Sequence, residues 1–242
     1  MRDTFSEFWT YFTTADNWWG EHGTLALLWA HVRISIVATC VAAAVTLPPA
    51  VYLGHHRRGG LLAVSIVNIG RAIPSLAIIA LFTTISAVGI GYRPTLIALI
   101  ALAIPPIFTN AYTGVRDVDP NTVEAARGMG MTSRQVLLGV EVPTSLPLII
   151  TGLRISALQV VATATLGAIV GFECLGSLIT QGIAQFNDGK LVTGAVLVAA
   201  LALLTDAFFI IVQRALTPWL RKRGRWLRPV DSVDRAAALA AA

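Results

Sequence analysis

Five stretches of this 242-residue chain are apolar for longer than a soluble domain tolerates. They run from Leu25 to Leu53, Leu61 to Ile90, Thr95 to Val115, Val142 to Val170 and Leu191 to Val212. A helix needs about 20 mostly apolar residues to cross a bilayer, and all five are long enough. The runs lack the period-two alternation of barrel strands, so helices are expected. Only 13% of the residues are charged, against about 25% in soluble domains. That is too little polar surface to cover a soluble fold of this size. The expected class is an all-α polytopic membrane protein of about five spans. The second span is interrupted at Ile73-Pro74-Ser75 and kinks at Pro74, where a backbone donor is missing.

Charge fixes the expected orientation. The 54–60 loop, the 116–141 loop and the C-terminal tail share one side of a five-span chain. Together they hold twelve of the eighteen Lys and Arg residues. The opposite side holds Arg2, Arg93 and Lys190, and Arg33, Arg71 and Arg154 fall within the runs. Basic loops stay cytoplasmic, so the N-terminus is expected outside and the C-terminus inside a bacterial plasma membrane. Residues 1–23 carry Phe5, Phe8, Trp9, Tyr11, Phe12, Trp18 and Trp19 and suit an outer interfacial helix. The same stretch holds Asp3, Glu7, Asp16 and Glu21 and has no apolar core, so it does not read as a cleavable leader. Residues 24–215 form the expected transmembrane domain. Residues 216–242, with Arg221, Lys222, Arg223, Arg225 and Arg228, suit a basic tail on the inner leaflet. Cys40 and Cys174 lie in or beside apolar runs, and no metal site is expected from them.

The 116–141 loop is longer than a connection between two spans requires, and loops of that length are usually functional. It reads as helical. Asp117, Asp119 or Asn121 can cap a first helix, and Pro120 suits its first turn. Val123, Ala126 and Met129 or Gly130 recur at helical spacing. Gly128 and Gly130 mark a break, and Thr132 or Ser133 can cap a second helix. Pro143 and Pro147 enter the fourth span. A helical pair of this kind suits docking to a soluble partner.

Within it, Glu124-Ala125-Ala126-x3-Gly130 is followed after nine residues by Val140-x-Val142-Pro143. This resembles the EAA loop of permease subunits of bacterial ATP-binding-cassette importers, with valine in place of isoleucine and leucine. The resemblance covers roughly residues 24–215 and implies a MetI-like permease fold. It makes 116–143 a cytoplasmic coupling loop seated on an ATPase subunit, with Glu124, Ala125, Ala126, Gly128, Gly130 and Pro143 as its site residues. Further shared runs are Ile73 to Ala77, Asn110 to Arg116, Val118-Asp119-Pro120, Glu124 to Met131 and Thr163 to Gly171. These are most similar to permeases for osmoprotectants: glycine betaine, carnitine, choline or proline. Another small solute, such as an amino acid, is the alternative. The implied partners are cytoplasmic ATP-binding subunits, a second permease chain (identical or different) and an extracellular or periplasmic substrate-binding protein. No cofactor is expected in this chain; ATP and Mg belong to the partner ATPase. Glu173 and Cys174 depart from the small residues and glycines usual in the family before Leu175-Gly176, which sets that outer loop apart.

Charge inside a membrane is costly, so intramembrane ionisable residues stand out. Arg33 lies near a span end and suits an anchor that snorkels. Arg154 and Asp206 fall at similar depth and can neutralise each other as a structural ion pair. Ile73, Pro74, Ser75, Thr163 and Thr165 are candidates for the translocation path, because carbonyls freed by proline at membrane depth are tolerated where they line a cavity. The competing reading is helix packing through small residues. Phe82, Tyr92, Phe108, Tyr112, Phe172 and Phe186 are scattered and make no compact cation–π cage. A membrane enzyme would need converging nucleophile, base or metal ligands. His22 and His31 are expected near one end of the first span and His55 and His56 in a solvated loop at the other. No Walker A lysine context is present, so ATP hydrolysis is expected elsewhere. A standalone channel or secondary transporter would not need the long loop.

Overall fold

The computed structural model describes residues 2–57, 65 and 74–218. Among these the chain is helical throughout, with no strand. Helix α1 (Arg2–Thr13) precedes α2 (Thr24–His56), α3 (Ser75–Thr83) and α4 (Tyr92–Arg116). Two short helices follow, α5 (Pro120–Gly128) and α6 (Ser133–Val136). A π-helical turn (Leu137–Glu141) joins α6 to α7 (Val142–Thr163), which tightens into a 3-10 segment (Ala164–Val170). The chain continues as α8 (Leu175–Ala184) and α9 (Asp188–Leu216). Four helical runs are long and apolar enough to cross a membrane: Thr24–His56, Tyr92–Arg116, Ser133–Val170 and Asp188–Leu216. The first part of the expected second span, including Ile73, lies outside the described residues, as does the basic tail beyond Pro218.

The spans differ from their expected limits for local reasons. Pro74 is extended (φ −60°, ψ 129°) and stands ahead of α3, so the interruption is a helix start and not a kink inside continuous helix. Its carbonyl accepts from the Ala77 and Ile78 amides. The apolar run stops at Thr83, short of Ile90. Thr83 and Thr84 hydroxyls bond back to the Ala80 and Leu81 carbonyls, and Gly89 and Gly91 adopt positive φ, which together turn the chain. Helix α8 is an additional element. At ten residues it is too short to span, and the sequence reading passed over it.

The core forms where α2, α4 and α7 meet. On α2 the buried residues Ile34, Ala38, Ala42, Thr46, Ala50 and Gly54 recur at every fourth position. This is a ridge of mostly small side chains along which a second helix can approach closely. Leu99, Ala103 and Ile107 of α4 and Val160 of α7 close the cluster. Glycine makes the other contact: a Cβ on Gly152 would come within 2.8 Å of Asn110 Cβ and 2.9 Å of the Pro106 carbonyl. Pro105 and Pro106 remove two ladder donors from α4 at this crossing. Ser156 Oγ of α7 donates to the nearby Ala103 carbonyl at 2.8 Å.

Candidate functional site: the coupling segment and its supports

Asp119 caps α5, its carboxylate accepting from the Asn121 amide at 2.9 Å, and Pro120 occupies the first turn. Val123 and Ala126 point inward to join Val118 and Val136 in a small separate core, with Met131 and Val140 against it. Glu124, Ala125, Arg127 and Gly128 are thereby left outward and exposed. Of the two residues that could continue this spacing, Met129 is 77% exposed and Gly130 is exposed too. The reason is how the helix ends. The Met131 amide reaches back to Ala126 O and the Gly130 amide to Arg127 O, the paired bonds of a Schellman cap. That cap puts Gly130 at φ +85° and turns Met131, rather than Met129, onto the core. A Cβ on Gly130 meets nothing within 4 Å. Its glycine is therefore required by backbone conformation, not by space.

Thr132 then starts the second helix with a capping box: its hydroxyl accepts from the Gln135 amide, and the Gln135 side chain accepts from the Thr132 amide at 2.7 Å. From Ser133 the helix runs on without interruption into the membrane-spanning region, through the π turn and past Pro143. A π turn accommodates one extra residue and shifts the side-chain register. Here it delivers Glu141, 2% exposed, to the inside.

Glu141 meets the residue the sequence placed in a solvated loop. His55 belongs to the last turn of α2, and its side chain is only 7% exposed. Glu141 is an acceptor, so His55 Nδ1–H donates to its carboxylate. His55 Nε2 bonds Ser133 Oγ at 2.7 Å. On either side, Gly54 lets α2 approach α4, since a Cβ there would lie 2.9 Å from the Tyr112 carbonyl. Arg57, left-handed at φ 51°, donates to the Val118 carbonyl at 2.9 Å. Glu141 did not stand out in the sequence, and Ser133, a candidate cap there, leaves the capping to Thr132 and bonds His55 instead.

In the membrane region Arg154 and Asp206 meet in bidentate fashion, Nε to Oδ1 at 2.6 Å and Nη2 to Oδ2 at 2.8 Å. Their side chains are 32% and 27% exposed. The pair ties α9 to α7. Arg33 is exposed, with its guanidinium 5.6 Å from the centre of the Tyr92 ring. Of the path candidates, Pro74 is exposed and Ser75, Thr163 and Thr165 are half-buried. Ser75 opens α3, which packs against α4 and the 3-10 segment that holds Thr165. An apolar cavity of about 500 Å³ lies elsewhere, between α2, α7 and α9, with Ser35, Cys40, Val161 and Phe208 among its walls. The aromatics are less scattered than expected: Tyr92 meets Phe172 edge-on at 5.6 Å and Phe108 stacks on Tyr112 at 6.1 Å. Phe108, Tyr112 and Phe172 are buried in packing.

The far end is held by helix termini. Tightening of α7 to 3-10 geometry changes which carbonyls the ladder uses. His31 Nε2–H donates to Val161 O at 2.9 Å, and Cys174 Sγ reaches Ala164 O at 3.4 Å. Cys174, fully buried, also caps α8. Glu173, exposed, pairs with His22 at 2.9 Å. The two unusual residues of that loop thus have separate structural uses. Nearby, α1 docks on the start of α9, where a Cβ on Gly189 would lie 2.5 Å from the Glu7 carbonyl. Phe5, Trp9 and Trp19 remain exposed.

Residues 35–222 match the family described as binding-protein-dependent transport system inner membrane component. The carnitine transport permease protein OpuCB of Listeria monocytogenes is 36% identical over 81% of this chain and 89% of its own length. The choline transport system permease protein OpuBB of Bacillus subtilis (strain 168) is 36% identical over 78% of this chain and 86% of its own. Among solved structures, a chain of the inward-facing MetNI methionine ABC transporter superposes with a TM-score of 0.70 at 24% identity, covering 80% of this chain and 95% of that one. With four helices among the described residues long and apolar enough to span, and a capped helical segment leading into one of them, the chain belongs to the binding-protein-dependent transport system inner membrane components, the permease subunits of ABC importers.

Proposed function

We propose that this chain is the pore-forming subunit of an ATP-driven importer of quaternary-ammonium and related osmoprotectants: glycine betaine, carnitine, choline or proline. The observation that carries the reading is the coupling segment. A short helix with its own small core exposes Glu124, Ala125, Arg127 and Gly128, and its end is fixed by Gly130. Relatives named for carnitine and choline transport support the solute class.

In this reading the coupling segment faces the cytoplasm, the N-terminus lies outside, and two permease chains, the same or different, enclose the pore. ATP and Mg bind in cytoplasmic ATPase subunits seated on the exposed face of α5. Closure of the ATPase pair on ATP pushes the segment, the pore turns outward to accept solute from a binding protein, and hydrolysis returns it. Glu124 supplies an exposed carboxylate for a basic residue of the ATPase, and Ala125 permits close approach. Thr163, Thr165 and Ser75, beside Pro74, offer hydroxyls along the path.

The test is whole-cell uptake of labelled glycine betaine, carnitine, choline, proline and methionine, with co-purification of the ATPase subunit. Uptake of the first four and not methionine is expected. Gly130→Val, which puts a β-branched residue at positive φ, should abolish uptake while membrane insertion persists. Unchanged uptake in that variant would overturn the coupling assignment.

A further inference from the structure

Resting on that reading, we infer that His55 is a positioning residue that transmits motion of the coupling segment to α2, through its bonds to Glu141 and Ser133. Helix α2 has 33 residues, about 50 Å at 1.5 Å per residue. The hydrocarbon core is about 30 Å thick, so α2 outreaches it, and its last turn stands beside the coupling segment. His55 projects from that turn and holds both ends of the bend, Ser133 at the start of α6 and Glu141 at the end of the π turn. From this bend, directly after the capped end of α5, the chain runs as continuous helix into α7.

The contact suits force transmission. His55 and Glu141 are both almost fully buried, where a charge-assisted hydrogen bond is strong and an unpaired charge is costly. Gly54 holds the same turn of α2 against α4, so His55 cannot yield by local tilting. A displacement of the α6–π bend must either break the His55 bonds or carry α2 with it. The small-residue ridge on α2 then lets the helix slide against α4 without unpacking large side chains. At its other end α2 holds Val161 O through His31, next to the 3-10 segment that carries Thr165.

The experiment uses the complete importer, with ATPase and binding protein, in proteoliposomes. Uptake of labelled glycine betaine, carnitine, choline and proline, each in turn, is measured with phosphate release in the same vesicles. The readout is solute imported per ATP hydrolysed. A purely structural contact lowers the amount of complex but leaves that ratio alone. His55→Ala should lower the ratio by at least about tenfold, within the usual range of coupling free energies. His55→Asn, whose amide nitrogen can replace Nδ1 toward Glu141, should restore much of it, and His55→Gln, which reaches only toward Ser133, should not. The double variant His55→Leu with Glu141→Leu leaves no unpaired charge, so it assembles even where His55→Ala does not; it too should show the low ratio. A wild-type ratio in the double variant, or equal ratios for Ala and Asn, would overturn the inference. Failure of the wild-type complex to import any of the four solutes, or to hold its ATPase, would instead defeat the proposed function.

Discussion

Among the described residues, two histidine–glutamate pairs lie at opposite ends of the molecule, and they differ above all in exposure. At the coupling end His55 and Glu141 are 7% and 2% exposed; at the far end His22 and Glu173 are 76% and 60% exposed. A third pair, Arg154–Asp206, is intermediate at 32% and 27%. Water screens an exposed pair, and holding two side chains together there gains little. A buried pair gains little over apolar packing either, but breaking it strands a charge. The coupling end is therefore intolerant of single changes at its pair, while the far end relies on carbonyl caps and close glycine packing. That contrast suits a machine whose coupling end bears force and whose far end must open and close.

The largest effect expected is on the buried pair. His55→Ala leaves Glu141 without its imidazole and should destabilise by about 3–5 kcal/mol. The measurement is a melting curve of the purified chain in detergent. Glu141→Gln keeps an acceptor for Nδ1–H and should lose much less. Equal losses for the two variants would mean that lost packing, not the stranded charge, sets the cost.

Next comes Arg154–Asp206, which joins two helices long and apolar enough to span, where a lone charge is costly. Removing Arg154 leaves Asp206 uncompensated, with a cost of about 2.5–3.5 kcal/mol for a charge near a helix centre. Arg154→Leu should lower the amount of inserted protein, and adding Asp206→Leu should recover it. No recovery would show that Arg154 has work besides neutralising Asp206.

What the sequence disclosed follows the same division. Patterns within one helix were readable: the apolar runs, Asp119 and Pro120 at the start of α5, Thr132 as a cap and Gly130 as a break. The partnership of Arg154 and Asp206 was readable too, because lipid leaves a charge few alternatives. His55 was misread as solvated, since its burial depends on Glu141, 86 positions away, delivered by a π turn that no local pattern announces. Neither Met129 nor Gly130 continues the spacing of Val123 and Ala126, because the Schellman cap ends the helical period and turns Met131 onto the core. Helix α8 was missed for being too short to span, and the α2 ridge was overlooked although its fourfold spacing is plain in the sequence. Ile73 and the tail beyond Pro218 lie outside the described residues.

The smallest effect is expected at the exposed pair, and it separates the two departures in the α7–α8 loop. Glu173→Gln should change stability by no more than about 1 kcal/mol. Its solvent-exposed carboxylate adds a link between the N-terminal segment and the loop that salt would screen. Cys174→Ser keeps a hydroxyl that donates to the Ala164 carbonyl and accepts from the first turn of α8, so it should also be mild. Cys174→Ala removes a buried cap, with a cost of about 1 kcal/mol. Melting curves of the three variants at low and high salt decide the matter. Only the His22–Glu173 contribution should fade with salt, whereas the Cys174 contribution should persist because its bonds are buried. A salt-independent loss in Glu173→Gln exceeding that of Cys174→Ala would make the exposed pair, not the cap, what holds the loop, and the contrast between the two ends would collapse.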